Sequence, residues 1–136
     1  MIEKASGEKP VVLVVDDMPM NLRIVKVFLD KQFTVITAKS GDDALGILKQ
    51  RKIDLILLDI EMPGKSGFDV MEEIKKMPSK IGVPVICITG MDSTPEFITK
   101  VVHSGVQDYI CKPFDQATLE HKVRKALGIT DFVVLK

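Results

Sequence analysis

The chain has little from which to build the commoner catalytic or metal sites. Its 136 residues contain only two cysteines, Cys87 and Cys111, and two histidines, His103 and His121. Two cysteines do not make a disulfide framework, and each lies in or beside an apolar run, which predicts buried thiols in a reducing compartment. The distant cysteines and histidines have no zinc spacing. Neither histidine has a nucleophile-and-orienter pattern, so both read as surface or packing residues. Charge of one sign is absent too. Nineteen basic and nineteen acidic side chains cancel, so no overall field points to nucleic acid or anionic lipid. No apolar run approaches membrane-spanning length, and the polar first ten residues lack the apolar stretch of a signal peptide. A cytoplasmic location is the expectation. No Gly-x-Gly-x-x-Gly follows the first apolar run, which disfavours a nucleotide-binding domain. Gly64-Lys65-Ser66 matches the end of a phosphate-binding loop without its preceding glycine spacing.

What is present is an ordinary globular composition, 46% hydrophobic and 28% charged, at a length that suits one domain. Residues 1–9 read as a short flexible lead. Val11-Val12-Leu13-Val14-Val15 is a continuous β-branched run of the kind buried on both faces of a parallel sheet. It stops at Asp16-Asp17. Pro19 suits a first helical turn, and Leu22, Val25, Phe28 and Leu29 follow at helical spacing. Residues 33–37 read as a more exposed strand. A helix follows Ser40, with Ala44, Leu45 and Leu48 on one side. A strand over 53–58 runs into Asp59, and 62–67 form a loop. Val70, Met71, Ile74 and Met77 make the next helical stripe. A strand over 84–88 ends at Thr89-Gly90. A weaker helix over 95–103 has Phe97, Ile98, Val101 and Val102 as its expected buried side. A short strand over 106–110 precedes Lys112-Pro113, and a last helix covers about 115–127 with Leu119, Val123, Ala126 and Leu127 inward. Five strands alternate with five helices. That pattern predicts a doubly wound α/β fold, a parallel sheet with helices on both faces. The domain is expected over 10–127. The tail, 128–136, carries Phe132-Val133-Val134-Leu135 and reads as surface padding or the start of a linker or truncated module.

In an open parallel sheet, ligands gather beyond the carboxyl ends of the strands. Four strands here end in functional residues: Asp16-Asp17, Asp59, Thr89 and Lys112. Clustered carboxylates repel one another in a partly desolvated cleft. Magnesium, a hard cation that takes oxygen ligands, relieves that repulsion. Asp16, Asp17 and Asp59 can supply such ligands. The cation and Lys112 would neutralise charge on a transferring phosphoryl group. Thr89 would donate its hydroxyl to that group, and Asp59 would be the nucleophile.

The pieces Val12-Leu13-Val14-Val15-Asp16-Asp17, Leu57-Leu58-Asp59-Ile60-Glu61-Met62-Pro63, Ile88-Thr89-Gly90 and Asp108-Tyr109-Ile110-Cys111-Lys112-Pro113-Phe114 are weak singly. In this order and spacing they are specific. Over about residues 10–127 the chain resembles the receiver domain of two-component response regulators. The resemblance implies a flavodoxin-like sheet of strand order 2-1-3-4-5. It implies a signalling switch rather than a substrate-turning enzyme, although such a domain catalyses its own phosphorylation and dephosphorylation. The donor to Asp59 would be a sensor histidine kinase or a histidine phosphotransfer protein. Magnesium, or manganese in its place, would sit on Asp16, Asp17, Asp59 and the backbone carbonyl of Glu61. Thr89 and Tyr109 match the family's switch pair, which would remodel the surface of the fourth helix, fifth strand and fifth helix. Lys112 matches the phosphate-binding lysine, and the bond before Pro113 matches one often cis. The side chains of Glu61 and Met91 would stand where the family sets its dephosphorylation rate.

Blander readings exist for each residue. Asp16 or Asp17 could cap the helix at Pro19; Thr89 could end a strand; Tyr109 could be a half-buried aromatic; Lys112 could be a solvated lysine. The cysteines and seven methionines read as packing. Three functional hypotheses compete. A stand-alone switch would bind a target protein, or a second copy of itself, when phosphorylated. A module of a larger regulator would control a DNA-binding domain, a cyclic-dinucleotide enzyme or a histidine kinase; Asp16-Asp17-Met18-Pro19-Met20-Asn21-Leu22 resembles receivers attached to enzymatic or kinase modules. A magnesium-dependent phosphatase is disfavoured, because the chain has no evident cap insertion.

Overall fold

Apolar runs with few polar interruptions form the middle of the sheet, and alternating ones form its edges. The computed structural model describes residues 8–90 and 94–129. Its elements are β1 (Val11–Val15), α1 (Pro19–Leu29), β2 (Thr34–Ala38), α2 (Gly41–Gln50), β3 (Leu55–Asp59), α3 (Gly67–Lys75), a 3-10 turn (Pro78–Lys80), β4 (Val85–Thr89), α4 (Pro95–His103), β5 (Asp108–Cys111) and α5 (Gln116–Ala126). All strand pairs are parallel, in the order β2-β1-β3-β4-β5, as the resemblance implied. β3 and β4 are buried at every position, whereas edge strand β2 alternates. The pleat divides the side chains between two cores. Val12, Val14, Leu55, Leu57, Ile86 and Ile88 meet Val25 and Leu29 of α1 and Leu119 and Val123 of α5. Leu13, Val15, Ile56 and Leu58 meet Ala44 and Leu48 of α2 and Val70, Met71 and Ile74 of α3. A smaller cluster of Ile60, Cys87 and Val101 lies beside Phe68, Phe97 and Tyr109.

Local chemistry sets the helix ends. Ser40, Ser66, Thr94 and Asp115 each accept a bond from the backbone N–H three residues on, which satisfies a donor the helix leaves open. Ser66 and Asp69 bond reciprocally, closing a capping box at α3. α1 begins differently, with Met18 at the cap position, no side-chain cap, and Pro19 in its first turn. Neither Asp16 nor Asp17 occupies the cap position; Asp16 instead accepts from Met18 N–H just ahead of the helix.

Several expectations shift. β2 starts at Thr34, because Phe33 N–H still donates to the Leu29 carbonyl and its ring enters the core. β4 starts after Pro84, which has no N–H to offer the ladder and only accepts, from Ile56 N. β3 runs from Leu55 and takes in Asp59, and β5 is confined to Asp108–Cys111. On α4 only Val101 is fully buried; Phe97 and Ile98 are half-buried. Val102, expected inward, is 51% exposed. The helix packs over the β5 edge of the sheet, so only a narrow stripe of it is covered. Cys111, expected buried, is exposed: β5 is an edge strand, and its alternation sends Ile110 into the core and Cys111 outward. The apolar tail segment 132–135, Met91 and most of the N-terminal lead lie outside the described residues. Among the described residues no helix is long and apolar enough to cross a membrane.

Candidate functional site

The carboxyl ends of β1, β3 and β5 bring Asp16, Asp17, Asp59 and Lys112 together. β1 and β3 are neighbours, so the residues that follow their last ladder pair, Val15 with Leu58, emerge side by side. Asp16, Asp17 and Asp59 each offer a carboxylate oxygen, and these oxygens lie within 4.8 Å of one another. Asp16 and Asp59 are buried, at 1% and 3% exposure, and Asp17 is half-buried. Charged groups so placed need partners. Asp16 Oδ1 accepts from Met18 N–H at 2.9 Å, and Asp59 Oδ1 accepts from Glu61 N–H at 3.0 Å. The loop that follows each strand thus turns back to hold the carboxylate that ends it.

Lys112 reaches across from β5. Its Nζ lies 3.3 Å from Asp59 Oδ2 and 3.4 Å from Asp16 Oδ2. One ammonium among three carboxylates leaves the cluster net negative. Burial, with the Asp16 charge added, pushes Asp59 up to about 6, against the pull of Glu61 N–H and Lys112. Burial would draw the Lys112 ammonium down, but the Asp59 and Asp16 carboxylates outweigh it and hold it above the usual lysine range. Beneath the site, burial and the Asp59 charge push the Cys87 thiol up to about 12. A thiol so held is not a nucleophile at neutral pH.

Surplus negative charge on hard oxygen donors fits a divalent cation of the magnesium class. Two donors already turned to backbone N–H groups pre-set the carboxylate orientations, and Lys112 stands ready to meet an incoming anion.

The remaining expected residues are placed less directly. Thr89 ends β4 and is fully buried. Its hydroxyl donates to Cys111 Sγ at 3.4 Å rather than to a carboxylate. Tyr109 is half-buried and packs beside Ile60, Cys87 and Val101. Glu61 contributes its N–H to Asp59, while its carboxylate lies beside the β4 exit: a Cβ on Gly90 would stand 3.1 Å from Glu61 Oε1. The Lys112–Pro113 bond is cis, as the resemblance implied.

Two contributors have no clear sign in the sequence. A Cβ on Gly67 would lie 2.7 Å from the Asp59 carbonyl oxygen and 2.7 Å from Ile60 Cα. The start of α3 therefore rests directly on the backbone that carries Asp59, and Gly67 N–H donates to the Ile60 carbonyl. In the sequence this glycine reads only as part of a loop. Cys111 is the other, since a cysteine in an apolar run reads as packing. Beside the cluster, Asp16, Asn21, Ile24, Val25, Lys112 and Pro113 line an open cleft of about 430 Å³ between α1 and the β5–α5 turn.

Comparison with known proteins agrees with this geometry. The chain is 40% identical over 116 residues to a probable cyclic di-GMP phosphodiesterase of Vibrio cholerae, covering 85% of this chain and 26% of that protein. It is 32% identical over 118 residues to protein PilH of Pseudomonas aeruginosa, covering 86% and 97%. It thus spans about a quarter of the first relative and nearly all of the second. A solved response regulator receiver protein from Pseudomonas putida superposes with a TM-score of 0.79 at 30% identity, over 86% of this chain and 97% of that one. The response regulator receiver domain model matches residues 12–124, and the chain belongs to that family, a signalling module built to accept a phosphoryl group.

Proposed function

We propose that Asp59 is the phosphoryl acceptor of this domain. The observation that carries the reading is Lys112 Nζ bridging Asp59 and Asp16 within a cluster of three carboxylates. Asp16, Asp17, Asp59 and the Glu61 backbone carbonyl would hold magnesium, with manganese as a substitute. When bound, the cation supplies charge neutralisation for the phosphoryl oxygens and the carboxylates alike. An Asp59 oxygen attacks phosphorus, the bond from phosphorus to the donor nitrogen breaks, and the phosphoryl group becomes an acyl phosphate. Lys112 keeps its proton throughout and turns from the carboxylates toward the added anion. The Thr89 hydroxyl and the Tyr109 ring then respond, and the surface of α4, β5 and α5 changes. By analogy with hydroxyl phosphates the added charge is about −1.5 to −2, enough to bias states separated by a few kcal/mol.

The donor is a sensor histidine kinase or a histidine phosphotransfer protein. Met18, Met20, Ile24 and Val27 are large apolar side chains exposed on and before α1, and Ile24 borders the cleft that reaches Asp16 and Lys112. A donor seated there would bring its phosphohistidine to the cluster. The output is a target protein, a second copy of this chain, or an attached domain. The 40% identity to a region making up 26% of a probable cyclic di-GMP phosphodiesterase favours a cyclic-dinucleotide enzyme as the attached output.

The test is incubation with acetyl phosphate or phosphoramidate, with and without magnesium, read by intact mass. The mass gain of one phosphoryl group should require magnesium and disappear in Asp59→Asn and Asp59→Ala. Folded, magnesium-binding protein that gains nothing from several small donors and from recombinant kinases would overturn the reading.

A further inference from the structure

The Thr89 hydroxyl proton is already committed. Thr89 occupies the last position of β4, is fully buried, and pairs in register with Cys111 of β5. Across that pair its Oγ1 donates to Cys111 Sγ at 3.4 Å. The Thr89 carbonyl is held too, accepting from Lys112 N–H at 2.8 Å. A hydroxyl has one proton to donate. While that proton is directed at Cys111, it is withheld from a phosphoryl oxygen on Asp59. Two acceptors therefore compete for one donor, and they differ in strength. A thiol sulfur is a weak acceptor, whereas a phosphoryl oxygen is charged and strong.

We propose that Cys111 is a positioning residue that holds Thr89 in its resting orientation and sets the threshold for switching. The proposal rests on the reading that Asp59 is phosphorylated and that Thr89 responds. The resting bond is weak enough to yield to the phosphoryl group and directional enough to bias the hydroxyl before that group arrives. Cys111 immediately precedes Lys112 on the strand exit, so the restraint on Thr89 and the ammonium facing Asp59 are set by adjacent residues. Removing the sulfur acceptor takes a partner from the resting state and nothing from the phosphorylated one. Its loss should make the active state easier to reach.

The test is titration of the full chain with beryllofluoride, a phosphoryl mimic, in the presence of magnesium, read by calorimetry. Cys111→Ala and Cys111→Val delete the acceptor at an exposed position, so neither opens the core. Cys111→Ser retains an acceptor. Each is made in the native background and with Thr89→Val. In the native background, Cys111→Ala and Cys111→Val should tighten beryllofluoride binding about two- to tenfold, the span of one neutral hydrogen bond. Cys111→Ser should bring the affinity back to the native value or weaken it. With Thr89→Val, neither deletion should change the affinity, because the coupling is gone. If Thr89→Val loosens binding while both deletions leave it unchanged, the restraint is overturned and the role of Thr89 stands. Equal tightening in both backgrounds also overturns it, since Cys111 would then act without Thr89. If folded native protein fails to bind beryllofluoride, the reading of Asp59 and this inference fail together.

Discussion

Lys112 Nζ lies 3.3 Å from Asp59 Oδ2, and the two residues are 53 positions apart in the chain. The same ammonium is 3.4 Å from Asp16 Oδ2, so it serves as internal counter-ion to two buried carboxylates. That placement gives Lys112→Ala two effects of opposite sign. Phosphorylation by acetyl phosphate should slow by about a hundredfold, the scale for losing one charge-stabilising donor. Magnesium should bind more tightly, because a competing cation has left the same oxygens. Rate assays and calorimetry of one preparation check both; weaker magnesium binding would mean that Lys112 orders the site rather than competing for it.

The position of Asp59 predicts an unusual pH profile. Its folded pKa is raised from 3.8 to about 6. Between those values the folded chain holds a proton that the unfolded chain has released. The stability of metal-free protein therefore falls as pH rises through that window and levels off above it. Asp59→Asn should abolish the slope and stabilise the metal-free protein at neutral pH by about 1–3 kcal/mol. Urea unfolding across the window measures it; an identical slope in the variant would assign the titration elsewhere.

Gly67 should tolerate no side chain. A Cβ there would stand 2.7 Å from the Asp59 carbonyl oxygen, so Gly67→Ala must shift α3 or the acceptor segment. We expect a loss of about 1–3 kcal/mol together with slower phosphorylation. Gly46, on an open face of α2 where an added Cβ would meet nothing within 4 Å, is the control. Gly46→Ala should stabilise the fold by about 0.5–1 kcal/mol and leave phosphorylation alone.

The two thiols should behave differently. Cys111 is exposed and Cys87 is buried, with the Cys87 thiol pushed up to about 12. A disulfide reagent should titrate one thiol per folded chain at neutral pH and two after unfolding. Fast reaction of both in folded protein would show that β4 opens readily.

Ile24 separates the two routes of phosphoryl supply. It borders the cleft beside Asp16 and Lys112 and is 39% exposed. Ile24→Lys should slow transfer from a histidine phosphotransfer protein by about thirtyfold or more, the scale of about 2 kcal/mol or more for losing an interface hot-spot contact. Phosphorylation by acetyl phosphate should be unaffected. Equal slowing with both donors would place the effect in the acceptor site instead.

The order of the elements, the parallel sheet and the acidic residues at the strand ends were legible in the sequence, because they depend on local pattern. Val11–Val15 is apolar without alternation, as a central parallel strand must be, and it stops at Asp16-Asp17. Ser40 marks a helix start in the sequence, whereas the caps at Ser66, Thr94 and Asp115 emerge only in the structure. The strand order itself came from the resemblance, since periodicity names the elements without saying which are neighbours. The tertiary structure decided what depends on distant residues meeting. Cys111 is exposed because β5 became an edge, and Val102 is exposed because α4 covers that edge with a narrow stripe. Gly67 matters because the start of α3 rests on the Asp59 backbone, and the Thr89 hydroxyl faces Cys111 because the β4–β5 register pairs them. The raised pKa of Asp59 has the same origin. A carboxylate's type is written in the chain, but its desolvation and its charged neighbours exist only once β1, β3 and β5 bring their ends together.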